Sequence, residues 1–396
     1  MIILSLSCSN LYMFDKFSVD FTYKRKLSHI LAAHDRLFKE SKINVRKNII
    51  VLGGNASGKT TFGKLLCAIT NYIIGRELSN QLNLFRAIYN KNLDSYFEIE
   101  FALGTIAYRI KSVFNINGFK SESLKKIEIA PSYNIEKLRK KLDETDYSIL
   151  ENYDLKISKK NNEIIPFFSK MLRDPKNSKI YEKLVSEIGF HYIFSNFADQ
   201  SNVSKITVSV DMINTILPKI DNSVEKVVAL KSNDPKIKTS SYIIVFKNGE
   251  HITIPDGNLL SSDKDRLSHG TYECLSFLNT LVEINKRKST MIFIDEYLAH
   301  LHAELEAYLV RKTFCLQRNA QIFFTSHNTE LLALNIPANS FMLFKRCKNG
   351  FNTALYANDI INKNDRNLRN YYENDSFGIN PDYSPLDAYF EKVIHD

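Results

Sequence analysis

Gly53-Gly54-Asn55-Ala56-Ser57-Gly58-Lys59-Thr60 decides the reading of this sequence, because its spacing is G-x-x-x-x-G-K-[ST] and its surroundings suit that spacing. The short β-branched run from Asn48 to Leu52 precedes it. Phe62, Leu65, Leu66 and Ile69 follow at i, i+3, i+4 and i+7, so a strand, a glycine turn and a helix with one buried face are expected in that order. Glycines let a backbone wrap a phosphate with its N–H groups, and the helix that follows aims its positive end at the anion. Gly53, Asn55, Ala56, Ser57, Gly58, Lys59, Thr60 and Thr61 are therefore candidate phosphate-binding residues. Lys59 reaches the outer phosphates and Thr60 offers a hydroxyl to Mg²⁺.

Outward from this loop, the segments Ile2 to Ser7 and Phe17 to Phe21 read as strands, and those from Tyr96 to Phe101 and from Ile106 to Ile110 read as a hairpin. Residues 120–204 are polar and Lys-rich, with apolar stripes at Ile135, Leu138 and Leu142 and at Ile180, Leu184, Val185 and Ile188, which predicts an inserted helical lobe. Strands are expected again from Ile206 to Val210 and in a hairpin about Asn248-Gly249. A buried helix (Leu275, Leu278, Leu281, Val282), a strand (Met291 to Ile294), a helix from about Glu304 and a strand (Gln321 to Thr325) follow. Such alternation predicts an α/β fold with a largely parallel sheet. The expected organisation is 1–119 as the first half of the core, 120–204 as the insert and 205–396 as the second half.

Composition narrows the class. The chain has 396 residues, 44% apolar and 24% charged, so it can build a sizeable core, and no apolar run approaches the ~18 residues of a membrane helix. A net charge of +9 permits an anionic partner such as nucleic acid without requiring one. Five cysteines, far apart and without a C-x-x-C pair, indicate neither a disulfide framework nor a zinc site and suit a reducing cytoplasm. The opening MIILSLSCSN lacks the basic start of an export signal and reads as a first strand.

Further chemistry lies downstream. Met291-Ile292-Phe293-Ile294-Asp295-Glu296 puts two acids at the C-terminal end of a buried strand, where ligands bind in open α/β sheets. Asp295 would serve the Mg²⁺ shell and Glu296 would polarise an attacking water, the division that phosphoryl transfer to water requires. Taken alone, two solvated acids at a strand end would read the same way. Leu267-Ser268-His269-Gly270-Thr271 precedes the buried helix, and Ser268 by itself would be a plain helix cap. Phe323-Phe324-Thr325-Ser326-His327-Asn328 places His327 just past another strand end.

In this order the motifs resemble the ATP-binding-cassette ATPases of the SMC, RecF and OLD group. More narrowly, they resemble the stand-alone AAA-family ATPases of prokaryotic antiviral and abortive-infection systems. The resemblance covers residues 1 to about 110 and 205 to 380, and it implies a P-loop NTPase of the ABC-ATPase type: a mixed sheet with an N-terminal antiparallel lobe and an inserted helical lobe. It also implies that Ser268 and Gly270 meet the γ-phosphate of ATP held by a second subunit, giving a head-to-tail homodimer sandwiching two nucleotides, with His327 as the switch histidine. Leu301-His302 matches the family's L-H element, with Ala303 where proline is usual and Leu298 where relatives often carry an acid. Gln81 is a poor match for the Q-loop glutamine. Tyr371-Tyr372-Glu373 and Phe377-Gly378 resemble the C-terminal signature of the antiviral ATPases.

The implied function is ATP binding and hydrolysis by a nucleotide-switched dimer that senses infection and controls a separate effector, a nuclease. The size and apolar stripes of the insert, about residues 120 to 200, suit docking of that effector, and they suit equally packing of the lobe on itself. The stretch after His327 is too short for an appended nuclease, and the insert lacks the heptads of long arms. A RecF-like DNA-repair clamp is the alternative. A transporter subunit or a P-loop kinase fits the long insert and the Leu267-to-Thr271 signature less well.

Overall fold

The structure is a computed structural model that describes every residue except 25–26, 28–29, 33, 75–83, 146–187, 189, 195–207, 231–240, 256–265, 287–290, 318, 348, 362–367, 380–383 and 396. The chain divides into two units. The first comprises Met1–Ile193, Ser289–Asp295 and Asn319–Asp396; the second comprises Phe194–Lys288 and Glu296–Arg318.

Two larger sheets and a two-stranded pair build the first unit. Strands β1 (Ile2–Ser9) and β2 (Phe17–Asp20) belong to one larger sheet, and β3 (Thr22–Tyr23) pairs with β4 (Asn44–Val45). Strand β5 (Asn48–Leu52) leads into helix α1 (Lys59–Ile73). Next come β6 (Ser95–Leu103), β7 (Ile106–Asn115), β8 (Gly118–Glu128), helix α2 (Ile135–Glu144) and β9 (Phe190–Phe194). Strands β2-β1-β6-β7-β8 form an antiparallel five-stranded sheet.

The second unit holds helix α3 (Val210–Ile220), the antiparallel strands β10 (Val224–Ala229), β11 (Tyr242–Phe246) and β12 (His251–Ile254), and helix α4 (His269–Lys286). The chain then returns to the first unit as β13 (Met291–Asp295), crosses the second as helix α5 (Ala303–Leu316), and finishes in the first with β14 (Gln321–Thr325), β15 (Phe341–Arg346) and β16 (Asn352–Tyr356). A short helix, α6 (Ala357–Ile360), and helices α7 (Leu368–Glu373) and α8 (Ser384–His395) follow. The six-stranded sheet has the order β16-β15-β5-β14-β13-β9; β15, β5, β14 and β13 are parallel, and β16 is an antiparallel edge. The observed arrangement is a mixed, largely parallel sheet beside an N-terminal antiparallel one, with the glycine loop between β5 and α1 as expected.

Every residue of β5, β13 and β14 is buried, as strands covered on both faces require. Helix α1 lays Phe62, Leu65, Leu66 and Ile69 into the core. The Phe62 ring meets Phe14, Phe17, Phe293, Phe323 and Phe344 at centroid distances of 5.3 to 6.4 Å, so rings from both larger sheets converge on one helix residue. Gln321 provides a polar tie between the same sheets. Its Oε1 accepts from Ile3 N at 2.8 Å, and its Nε2 donates to the carbonyls of Ile3 (3.2 Å) and Arg46 (2.9 Å). The tie falls where a bulge shifts the β1–β6 register between Ile3 and Ser5.

Three expectations need correction. The helical lobe cannot begin at 120, because β8 occupies Gly118–Glu128 and pairs with β7 along its length; it carries Lys120, Lys125 and Lys126, which hid the strand in a Lys-rich stretch. Likewise, β9 lies inside the supposed insert and belongs to the six-stranded sheet. Of the strand expected from Ile206 to Val210, residues 206–207 lie outside the described residues and Val210 opens α3, whose first turn Ser209 caps by accepting from Met212 N. Within 146–187 and 195–207 the expected lobe lies outside the described residues, as does Gln81.

Gly63 gives a test of the packing. A Cβ built there would lie 2.5 Å from the Phe293 ring and 2.6 Å from the Tyr192 ring, and those rings stack on each other at 5.5 Å. Alanine would gain about 1 kcal/mol in helix propensity. Overpacking between two rings held on strands costs roughly 1–3 kcal/mol, so Gly63→Ala should lower the urea midpoint. A midpoint above that of the wild type would rule out this contact.

Candidate functional site

The phosphate loop keeps its shape through backbone conformations that few residues adopt. Gly58 has φ 102° and Ala56 has φ 57°, both left-handed. A Cβ on Gly58 would also lie 2.4 Å from Asn352 Nδ2, so glycine is required there for conformation and for space. Asn352 is buried on β16, and its N–H donates to the Met13 carbonyl at 2.7 Å. Asn55 and Ala56 form the exposed crown of the loop, while Ser57, Gly58 and Lys59 are buried and Thr60 and Thr61 half-buried.

Lys59 Nζ donates to the carbonyls of Gly53 (2.9 Å) and Gly54 (3.2 Å) and stands 3.4 Å from His327 Nε2. His327 is exposed beyond the end of β14, and Asn328 next to it accepts from Glu330 N at 2.9 Å, which fixes the turn that carries the histidine. Thr60 Oγ1 donates to Asp295 Oδ1 at 3.1 Å. Asp295 is only 5% exposed and accepts two more hydroxyls, Thr325 Oγ1 on Oδ1 and Tyr192 OH on Oδ2, each at 2.7 Å. The structure thus brings together Lys59, Thr60, Asp295 and His327, four residues expected from the sequence. Tyr192 and Asn352 were not expected. The aromatic run Phe190-His191-Tyr192-Ile193-Phe194 was the available signal for the first.

Two observations bear on what this site can hold. Ser57 Oγ is buried inside the loop without a hydrogen-bond partner among the described residues. Asp295 is a buried carboxylate whose donors are hydroxyls alone, with no ion pair among the described residues. A buried charge of this kind calls for a counter-charge. An anion on the loop and a divalent cation between Thr60 and Asp295 both fit these residues.

The second unit positions the remaining candidates. Ser268 is exposed and caps α4: its Oγ accepts from Thr271 N at 3.1 Å and lies 2.6 Å from Thr271 Oγ1. Thr271 Oγ1 in turn donates to Asp221 Oδ2 at 2.8 Å. Burial opposes the charge on Asp221, but the hydroxyls of Ser223 and Thr271 hold its carboxyl below the usual range. Gly270 is buried, and a Cβ there would lie 2.9 Å from the His300 carbonyl oxygen, so its bare face receives the loop after Glu296. Glu296 is half-buried, with φ 49°. In the L-H element, His302 occupies the cap position of α5 without a side-chain cap bond. His300 is the residue that docks, its Nδ1 at 2.7 Å from Glu273 Oε1. In the first unit, the tail motif closes on itself through stacking of Tyr371 and Phe377, and Arg369 ties α7 to Glu330 at 2.8 Å. Among the described residues no helix is long and apolar enough to cross a membrane.

Comparison with known proteins adds a family and several similar structures. Residues 49–333 match the family described as "AAA domain, putative AbiEii toxin, Type IV TA system". Similar solved structures include an SMC head bound to the C-terminal winged-helix domain of ScpA, with 12% identity, TM-score 0.45 and coverage of 90% of this chain and 98% of that one. The SMC head domain from Thermotoga maritima shows 10% identity and TM-score 0.41, with 90% and 99% covered. An SMC head with an extended coiled coil from Pyrococcus furiosus, bound to the C-terminal domain of ScpA, shows 11% identity and TM-score 0.43, with 90% and 96% covered. No curated protein matches the chain.

The hydroxyl on Asp295 gives the test of this geometry. Tyr192→Phe keeps the ring stacked on Phe293 and removes only the donor to Oδ2. Where a carboxylate holds a metal, loss of a group that orients it costs about 10-fold or more in metal affinity, so if Asp295 serves Mg²⁺ the concentration needed for nucleotide binding should rise by that factor. Binding measured in EDTA should stay unchanged. An unaltered Mg²⁺ requirement would remove Tyr192 from the site.

Proposed function

The chain belongs to this AAA-domain family, and from that premise we propose that it binds ATP with Mg²⁺ and hydrolyses it as a nucleotide-switched dimer. The observation that carries the reading is the grouping of Lys59, His327, Thr60 and Asp295 about one glycine loop. The loop N–H groups and the positive end of α1 bind the phosphates. Lys59 exchanges the carbonyls of Gly53 and Gly54 for phosphate oxygens, and His327 stands beside it to donate to the terminal phosphate. Thr60 and Asp295 would hold Mg²⁺, which when bound would offset the charge that builds on the phosphates. Glu296, one peptide bond beyond Asp295, orients a water and takes up its proton. Ser268 and Gly270, at the start of α4, meet nucleotide on a second copy, where α4 adds another positive helix end.

The biological role is proposed with the same premise. The family's description names a toxin of a type IV toxin–antitoxin system. That association supports a switch acting in antiviral defence, in which nucleotide state restrains or releases an effector nuclease. Co-purification of such a partner in one nucleotide state and its absence in the other is the corresponding test.

Two experiments address the chemistry. Glu296→Gln should lower turnover by roughly 10²- to 10⁴-fold while leaving ATP affinity within a few-fold, because water activation matters only in the transition state. Lys59→Ala should instead weaken binding by roughly 10- to 100-fold, the worth of a hydrogen-bonded charge on the phosphates. Retained turnover in the first, or retained affinity in the second, would overturn that residue's role. For assembly, Ser268→Arg should bind nucleotide normally yet show no ATP-dependent rise in mass by light scattering; a rise equal to that of the wild type would refute the sandwich.

A further inference from the structure

Glu296 has a left-handed backbone at φ 49°, a conformation that glutamate holds only where its surroundings impose it. The surroundings are supplied by one face of α4. Gly270, Glu273 and Phe277 are spaced i, i+3 and i+7, so they line up along the helix. Each contacts the loop that runs from Glu296 to His302. A Cβ at Gly270 would lie 2.9 Å from His300 O and 3.2 Å from Leu301 Cδ2, so the loop backbone rests directly on the glycine. Glu273, 7% exposed, receives His300 twice: Oε1 lies 2.7 Å from the imidazole Nδ1, and Oε2 accepts from the backbone N–H at 3.3 Å. The Phe277 ring lies 6.5 Å from that of Tyr297. A turn from Leu301 N to the carbonyl of Leu298, itself fully buried, closes the loop at 3.1 Å.

We infer that Glu273 and His300 are positioning residues for Glu296, a carboxylate–imidazole clasp by which α4 holds the loop that carries the water-orienting acid. The helix that begins at Ser268 and Gly270 therefore carries Glu296 with it. Contact made at the start of α4 is felt at the acid of the same subunit through a packed connection. This inference rests on the ATPase reading for its consequence, whereas the clasp itself is a matter of loop order.

The test uses the full chain with Glu273→Ala, Glu273→Gln, His300→Ala, His300→Asn and the double Ala variant. The Asn amide can stand where the imidazole Nδ1 donates. ATP affinity should stay within about 2-fold in every variant, while turnover should fall roughly 10- to 100-fold in both Ala variants, the usual cost of a misplaced reacting group. The double variant should be no slower than either single one, since the two residues act as a unit. His300→Asn should return turnover to within about 3-fold of the wild type, a rescue that general loss of stability would not give. Turnover in both Ala variants within about 2-fold of the wild type, or losses that multiply in the double variant, would overturn the inference. Should an Ala variant fail to fold, Glu273→Gln decides: it keeps the shape and weakens the acceptor, so it should slow turnover and leave affinity alone. Hydrogen exchange over residues 296–302 supplies an arm independent of hydrolysis, expected to quicken about 10-fold in Glu273→Gln. If the wild type hydrolyses nothing, the ATPase reading falls, whereas equal exchange in the wild type and Glu273→Gln overturns the clasp.

Discussion

One carboxylate, that of Asp295, governs the centre of the first unit. At 5% exposure it has little water to solvate it, and it accepts hydroxyls from Thr60 at the start of α1, Thr325 at the end of β14 and Tyr192 on β9. A buried charge left without donors would be costly, so these three elements must meet where they do. Beneath them, the aromatic rings around Phe62 fix the same helix from below, three residues after Lys59. Polar and apolar constraints thus act on one turn of α1, the turn that shapes the phosphate loop.

Much of this was legible in the sequence where the pattern was extreme. Strands β5, β13 and β14 hold central apolar runs, and two of their ends were readable because glycines follow β5 and two acids close β13. The residues Lys59, Thr60, Asp295 and His327 were legible because the motifs tie residue type to a strand or helix end. Other features depended on partners far along the chain. Strand β8 was hidden by its three lysines, and the start of α3 by the β-branched run that leads into it, although Ser209 offered a cap. Tyr192 meets Asp295 across 103 residues, and no local spacing announces such a pair. Of two histidines in the loop after β13, the docked one is His300, a choice settled by the position of Glu273 on α4 and hence by packing.

Glycine positions show how one residue type answers different demands. Gly58 needs a left-handed backbone and has Asn352 against it; Gly63 has ordinary helical geometry and yields space to two stacked rings; Gly270 makes room for the backbone at His300. Only the first belongs to the motif that located the loop. The other two set how closely a helix approaches its neighbour, and in α4 that closeness places the carboxylate of Glu273 within reach of the loop.

The placing of β5 between β15 and β14 has a consequence for how the chain is made. Both neighbours of β5 in the sheet come from the last quarter of the sequence, whereas the meander β6-β7-β8 joins strands adjacent along the chain. On a ribosome, β5 would emerge with both hydrogen-bonding edges bare and wait roughly 15 to 50 s, at ordinary synthesis rates, for its partners. An apolar strand in that condition is open to pairing with other chains. The nascent protein therefore passes through a stage in which the antiparallel sheet can close while the phosphate loop has no strand to anchor it, and shielding by a chaperone would be most needed during that interval.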